Sequence, residues 1–105
     1  MIEQVKIKTT KETLKIVINL WIEYEEWEID SPLNRQQRTI ISVMQVLMLK
    51  LKKKVLLNKE KHTLNLEYYQ ADVLQEFVGS RTSLAPTYES NIIQQLFDDL
   101  NQKTL

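Results

Sequence analysis

Residues 39–51 read TIISVMQVLMLKL, the longest nearly apolar run in this chain of 105 residues. Ser42, Gln45 and Lys50 interrupt the run, which is too short to span a bilayer. On a helical wheel its apolar residues cover most directions, and Leu49 lies inside the narrow polar stripe that remains. The pattern predicts the central helix of the domain, packed on several sides.

Both ends of this helix carry local signals. Ser31 is a suitable N-cap, and Pro32 suits the first helical position, where a backbone amide would be unpaired anyway. The lysine-rich residues 50–54 agree with the negative end of a helix dipole. We therefore expect a helix over residues 32–56. The turn that precedes it also ends a first helix, residues 10–28, so the two helices form a long αα-hairpin.

Short alternating segments flank the hairpin. Apolar and polar residues alternate over residues 2–8 and again over residues 62–68, which is the period of a β-strand. Because the hairpin returns the chain to the end where it began, we expect these strands to pair as a small two-stranded antiparallel ribbon.

The remaining chain predicts two shorter helices. One covers residues 69–78, with Gly79 at the position of a C-terminal cap, and a loop over residues 79–86 leads to a last helix over residues 87–101. The predicted order is β-α-α-β-α-α. The whole chain, residues 1–105, is expected to form a single α+β domain that is predominantly helical.

Composition narrows the classes of function. Fourteen basic and fourteen acidic residues give a formal net charge of zero, so no overall field attracts nucleic acid or an anionic membrane. The absence of cysteine excludes disulfides and thiolate metal sites. The N-terminus lacks the basic-then-apolar layout of a secretory signal, which predicts a cytoplasmic protein with no membrane partner. The high content of Lys, Ile, Leu and Asn is typical of an AT-rich bacterial genome.

An acidic and aromatic segment, EYEEWEID at residues 23–30, places five carboxylates and two aromatic rings at the end of the first helix. On the wheel, Glu25 and Glu28 fall on the apolar side of that helix, and two glutamines fall among the apolar directions of the second. Carboxylates beside aromatic rings suit a cationic ligand such as a Lys- or Arg-bearing peptide. The candidate partner-binding residues are Trp21, Tyr24, Glu25, Trp27, Glu28, Gln36 and Gln37.

Two other interpretations of this segment remain. The hairpin end can simply project past the core into water, with Arg35 and Arg38 shielding the carboxylates at little gain in energy. Alternatively, Glu23, Glu26 and Asp30 share one helix face and could hold a metal ion. The chain's one histidine is distant in sequence, however, and we expect no metal and no cofactor.

A basic cluster is the candidate polyanion-binding site. Clustered cations are sufficient to contact phosphates. No arginine or aromatic residue is interleaved to read or stack bases, and no RNA-binding signature is present. A lysine run of this kind is also typical of a solvated helix end. The cluster consists of Lys50, Lys52, Lys53, Lys54, Lys59 and Lys61.

The sequence predicts a non-catalytic protein-interaction or assembly module that forms a homodimer. Wide apolar helix faces, a ribbon with free edges and Leu49 in a polar stripe all require additional cover. A nucleic-acid-associated regulator that uses residues 50–61 is the alternative. An enzyme ranks third, because Glu25 and Glu28 could serve as acid and base but nothing places a nucleophile or an oxyanion hole beside them.

Overall fold

The computed structural model describes residues 4–27, 34–57, 59–82 and 87–104. Its elements follow the predicted order β-α-α-β-α-α, and the predominantly helical α+β fold is confirmed. The elements are β1 (Gln4–Thr10), α1 (Lys11–Trp27), α2 (Arg35–Val55), β2 (Lys61–Glu67), α3 (Tyr68–Arg81) and α4 (Thr87–Thr104).

The two strands form an antiparallel sheet in which Val5 is opposite Leu66 and Ile7 is opposite Leu64. These four side chains are buried and face the helices, whereas alternate residues on both strands are exposed. The alternation that predicted the strands therefore reflects one face on the core and one face in solvent.

A single hydrophobic cluster joins all six elements. Leu14 and Val17 of α1, together with Met44 and Leu47 of α2, are completely buried in it. The central helix α2 packs against α1 and α3, but it leaves one face open to solvent along its length. The prediction of a helix packed on several sides is thus correct for α2, except along that exposed face.

The start of α2 differs from the prediction. Asn34, not Ser31, is the N-cap, and the helix begins at Arg35. The backbone N–H of Gln37 donates to Asn34 Oδ1 over 2.8 Å, and the backbone N–H of Asn34 donates to Gln37 Oε1 over 3.1 Å. This reciprocal capping box satisfies two amides that the helix itself cannot pair. Ser31 and Pro32 lie outside the described residues.

The role predicted for Gly79 is wrong. The α3 helix continues to Arg81, and Gly79 has no positive φ, so it is not a left-handed cap. A Cβ atom at residue 79 would lie 2.8 Å from Cε2 of Phe97 in α4. The glycine is needed because α4 crosses α3 at this point too closely for a side chain.

Other boundaries move by one to three residues. Strand β1 continues to Thr10, whose hydroxyl accepts from the Thr13 amide N–H over 3.2 Å and so takes part in the start of α1. Strand β2 covers residues 61–67, and Tyr68, predicted within the strand, begins α3 instead. The last helix reaches Thr104, beyond its predicted end. Within the part of the chain that the structure describes, no helix is long and apolar enough to cross a membrane.

Candidate functional site

The aromatic residues at the end of α1 belong largely to the core. Trp21 is only 2% exposed. Its ring stacks on Tyr24 with 5.2 Å between centroids and meets Phe77 of α3 edge-on at 5.4 Å. Such pairs are the preferred arrangements of aromatic rings in protein interiors. Trp21 therefore joins α1 to α3 and is not available to a ligand as the sequence suggested.

A cation from the chain itself already contacts the ring of Tyr24, which is half-buried. The guanidinium carbon of Arg81 lies 4.8 Å from the centroid of Tyr24 and 5.6 Å from that of Phe77. Both distances are within the range of a cation–π contact. The chain thus supplies from α3 the kind of group that was expected from a partner. Sequence reasoning missed this contact of Arg81, because nothing in the local pattern links the end of α3 to α1.

The polar residues at the same end lie in solvent. Glu25 is exposed although it shares its side of α1 with buried Leu14 and Trp21, so the core does not extend to this side of the last turn. Gln36 and Gln37 are exposed in the first turn of α2, and Gln37 is committed to the capping box. The Trp27 side chain and Glu28 lie outside the described residues. The placement of the described residues matches a hairpin end that projects into water.

The lysine cluster does not form one surface. Lys50 donates to the backbone carbonyl of Asn65 on β2. Lys52 and Lys53 are exposed on α2, and Lys54 is partly buried. Lys59 is exposed in the connection that follows, and Lys61 is exposed on β2. The run of lysines is therefore divided between the helix and the ribbon.

The ribbon gathers a different set of cations. On the solvent side of the ribbon, here called the ribbon face, Lys6 is opposite Asn65, Lys8 is opposite Thr63 and Thr10 is opposite Lys61. One depression of about 380 Å³ is lined by Lys8, Thr9, Thr10, Lys61, His62 and Thr63. A second, of about 500 Å³, is lined by Lys6, Ile7, Lys8, Thr63, Asp99, Gln102 and Lys103. Because both include Lys8 and Thr63, they form one continuous surface.

The exposed side of the helical pair is apolar. Val46 and Leu49 of α2 are 59% and 61% exposed, and Leu56, the C-cap of the helix, is 84% exposed. Next to them, a groove of about 560 Å³ runs between α1 and α2, lined by Lys15, Ile18, Asn19, Lys52, Val55 and Leu56. We call this surface, which comprises Lys15, Asn19, Ile22, Glu23, Glu26, Val46, Leu49, Lys52 and Leu56, the hairpin face.

Charge is distributed unevenly over the hairpin face. Lys15 and Lys52 lie together beside the groove. Glu23 and Glu26 are exposed toward the other end of α1, about 12 and 16 Å along the helix from Lys15 at 1.5 Å per residue. The groove places Ile18 of α1 beside Val55 and Leu56 at the end of α2. In an antiparallel helical pair, one further turn along α1 corresponds to about one turn back along α2, so exposed Ile22 lies near the level of Leu49. The face thus has lysines beside Leu56 at its groove end, called the basic end, and carboxylates at the other end of α1.

The ribbon edges are less open than expected. The Asn65 carbonyl on the outer edge of β2 already accepts from Lys50. On the other side, α4 lies along β1, and residues of both elements line a small cavity of about 190 Å³. A second copy adding a strand would have to displace these contacts.

Neither a metal site nor a relative guides the choice among these surfaces. Within residues 4–27, 34–57, 59–82 and 87–104, no group of three His, Cys, Asp or Glu side chains is placed to hold a metal ion. The chain matches no protein-family model, no curated protein and no solved structure.

Proposed function

We propose that this protein is a non-catalytic assembly module that forms a homodimer through the hairpin face. The observation that carries the proposal is the set of Val46 and Leu49 on α2 and Leu56 at its C-cap, each more than half exposed. Exposed apolar residues on one side of a helix, here with exposed Lys52 and Lys53 between Leu49 and Leu56, are typical of an interaction site. The proposal places the module in the cytoplasm, a reducing compartment that suits a chain without cysteine.

A second copy of this chain is the occupant that the charges favour. When two copies of the hairpin face pack about a two-fold axis, each surface meets itself in the reverse direction. The basic end of one copy, at Lys15 and Lys52, then lies against Glu23 and Glu26 of the other. The same operation brings the two Leu49 side chains toward the centre. One surface therefore provides both the apolar contact and its own complementary charges.

The energy available corresponds to a modest association. Covering a half-exposed leucine or valine contributes about 1–2 kcal/mol, and a two-fold interface counts each residue twice. Six such residues give about 6–12 kcal/mol, and after the lowest association cost of about 4 kcal/mol only the upper end of that range corresponds to a dissociation constant of roughly micromolar order.

The test is the molar mass in solution, measured by light scattering at micromolar to high-micromolar concentration. We expect a dimer for the unmodified protein and a monomer for Leu49→Glu. Tyr69→Glu is the matched control, because Tyr69 is 53% exposed on α3, away from the hairpin face, and should leave the dimer intact. A monomeric unmodified protein, or equal dissociation of both variants, would contradict the proposal.

A further inference from the structure

We infer that the ribbon face binds nucleic acid through its phosphates, independently of the hairpin face. The site consists of Lys6, Lys8 and Lys61, with hydrogen-bonding support from Thr63 and Asn65. Lys6 and Lys8 lie near the N-terminus and Lys61 lies more than fifty residues later, and the antiparallel pairing of β1 with β2 brings them together.

The register of the ribbon determines how these side chains are arranged. The Lys11 amide N–H donates to the Glu60 carbonyl over 2.8 Å, so these opposed residues form a hydrogen-bonded pair at the end of the ribbon. Such pairs alternate with non-hydrogen-bonded pairs in an antiparallel sheet. Every pair on the ribbon face is therefore non-hydrogen-bonded, with the two Cα atoms about 4.5 Å apart. Lys8 and Thr63 accordingly stand side by side, as do Thr10 and Lys61.

The spacing suits a phosphodiester chain. Lys6 and Lys8 are two residues apart on one strand, about 6.8 Å at 3.4 Å per residue. This distance is close to the through-space separation of neighbouring phosphates along one strand, so the two ammonium groups can contact successive phosphates. Lys61, on the neighbouring strand, extends the cations across the ribbon, where the depression between Lys8 and Lys61 is also lined by Thr63.

The cations of the ribbon face are available for an external anion. Among the residues that the structure describes, Lys6, Lys8 and Lys61 have no carboxylate partner, whereas Lys50 is bonded to the backbone of β2. Three acids border the surface: exposed Glu60 directly precedes Lys61, Glu67 lies at the far end opposite Gln4, and Asp99 lines the second depression with Lys103 and also the cavity of about 190 Å³ that Lys8 lines. The exposed residues of the two strands include no acid, so the charges on the ribbon face itself are those of Lys6, Lys8 and Lys61.

Nucleic acid fits this surface better than a membrane does. A protein that lies on an anionic bilayer inserts apolar side chains beside its cations. The exposed residues of the ribbon are Lys, Thr, Asn and Gln, with no apolar or aromatic side chain among them. The absence of aromatic residues also means that bases are not stacked, so binding is expected to be independent of sequence.

The test is fluorescence anisotropy with labelled single-stranded and duplex oligonucleotides over a range of salt concentrations. Three neutralised phosphates predict that affinity for a duplex falls about 40-fold between about 50 and 200 mM salt, and for a single strand about 20-fold. The variant Lys6→Gln, Lys8→Gln, Lys61→Gln should lose most of the affinity at the lower salt concentration, together with the salt dependence.

The matched control is Arg35→Gln, Arg38→Gln, Lys53→Gln, which removes three exposed cations from α2 and should retain the unmodified affinity. Circular dichroism verifies that both variants fold. No binding to either oligonucleotide, binding without salt dependence, or equal loss in the two variants would overturn the inference. So would binding to phosphatidylserine vesicles without binding to oligonucleotides. Leu49→Glu leaves the ribbon face unchanged. The dimerisation test and the oligonucleotide-binding test can therefore contradict their two proposals independently.

Discussion

The guanidinium of Arg81 lies over the ring of Tyr24, with its central carbon 4.8 Å from the ring centroid. This contact fastens the last turn of α3 to the last turns of α1. It also connects Arg81 to the stacked pair of Trp21 and Tyr24, so that one cation and three aromatic rings close this end of the core. The surroundings that the sequence suggested for a cationic partner thus serve the fold itself.

Replacing Arg81 should therefore weaken the fold. Arg81→Met keeps much of the side-chain length but removes the charge, and we expect the free energy of unfolding to fall by about 1–2 kcal/mol. Urea denaturation followed by circular dichroism measures the change. Arg38→Met, at an exposed position on α2, is the control and should change stability little. Equal effects of the two substitutions would show that the contact with Tyr24 contributes nothing.

Gly79 should not tolerate a side chain. In an ordinary helix interior, alanine is more favourable than glycine by about 1 kcal/mol. Here the added Cβ would meet the Phe97 ring at 2.8 Å, and we expect Gly79→Ala to destabilise the protein by about 1–3 kcal/mol. The double variant Gly79→Ala, Phe97→Leu should recover part of the loss, because the smaller side chain makes room. Thermal denaturation of the three proteins tests this, and a stabilised Gly79→Ala variant would contradict the close crossing.

The hydroxyl of Tyr88 donates to Glu12 Oε1 over 2.6 Å and links the first turn of α4 to that of α1. The bond and the negative charge of Glu12 raise the pKa of Tyr88 above its ordinary value, since the tyrosinate would lose the bond and face a carboxylate. A raised folded-state pKa means that the stabilisation is complete below the unfolded pKa of about 10 and is lost as pH rises through the folded pKa.

An ultraviolet titration can isolate this residue among the four tyrosines of the chain. The difference between the unmodified protein and Tyr88→Phe gives the titration of Tyr88, and Glu12→Gln should shift that curve to lower pH. An unchanged curve in Glu12→Gln would mean that the contact does not persist in solution.

The element order could be predicted from the sequence because each element has a strong local period. Val5 and Ile7 alternate with lysines, and Leu47 and Leu51 recur at helical spacing, so both strands and the central helix were recognisable. Helix ends were harder, because two capping signals compete before α2. The pair of Asn34 and Gln37 forms the cap, although Ser31 and Pro32 also fit the usual preferences.

The surfaces could be predicted only in part. Leu49 stood out because one apolar residue interrupts a polar stripe, and it is indeed exposed. The contact between Arg81 and Tyr24 and the grouping of Lys8 with Lys61 depend on tertiary packing and strand register, which a helical wheel does not contain. The wheel also placed Glu25 on the apolar side of α1, but it could not show that the core ends before that residue.

The most direct test of the account is a charge-exchange experiment on the hairpin face, measured by light scattering. One variant carries Lys15→Glu and Lys52→Glu, and the other carries Glu23→Lys and Glu26→Lys. Each variant alone should be a monomer, because like charges meet at both ends of its interface, whereas an equimolar mixture should form a heterodimer. If the unmodified protein is a monomer, or if the mixture stays monomeric while the unmodified protein dimerises, reverse pairing of two hairpin faces is wrong.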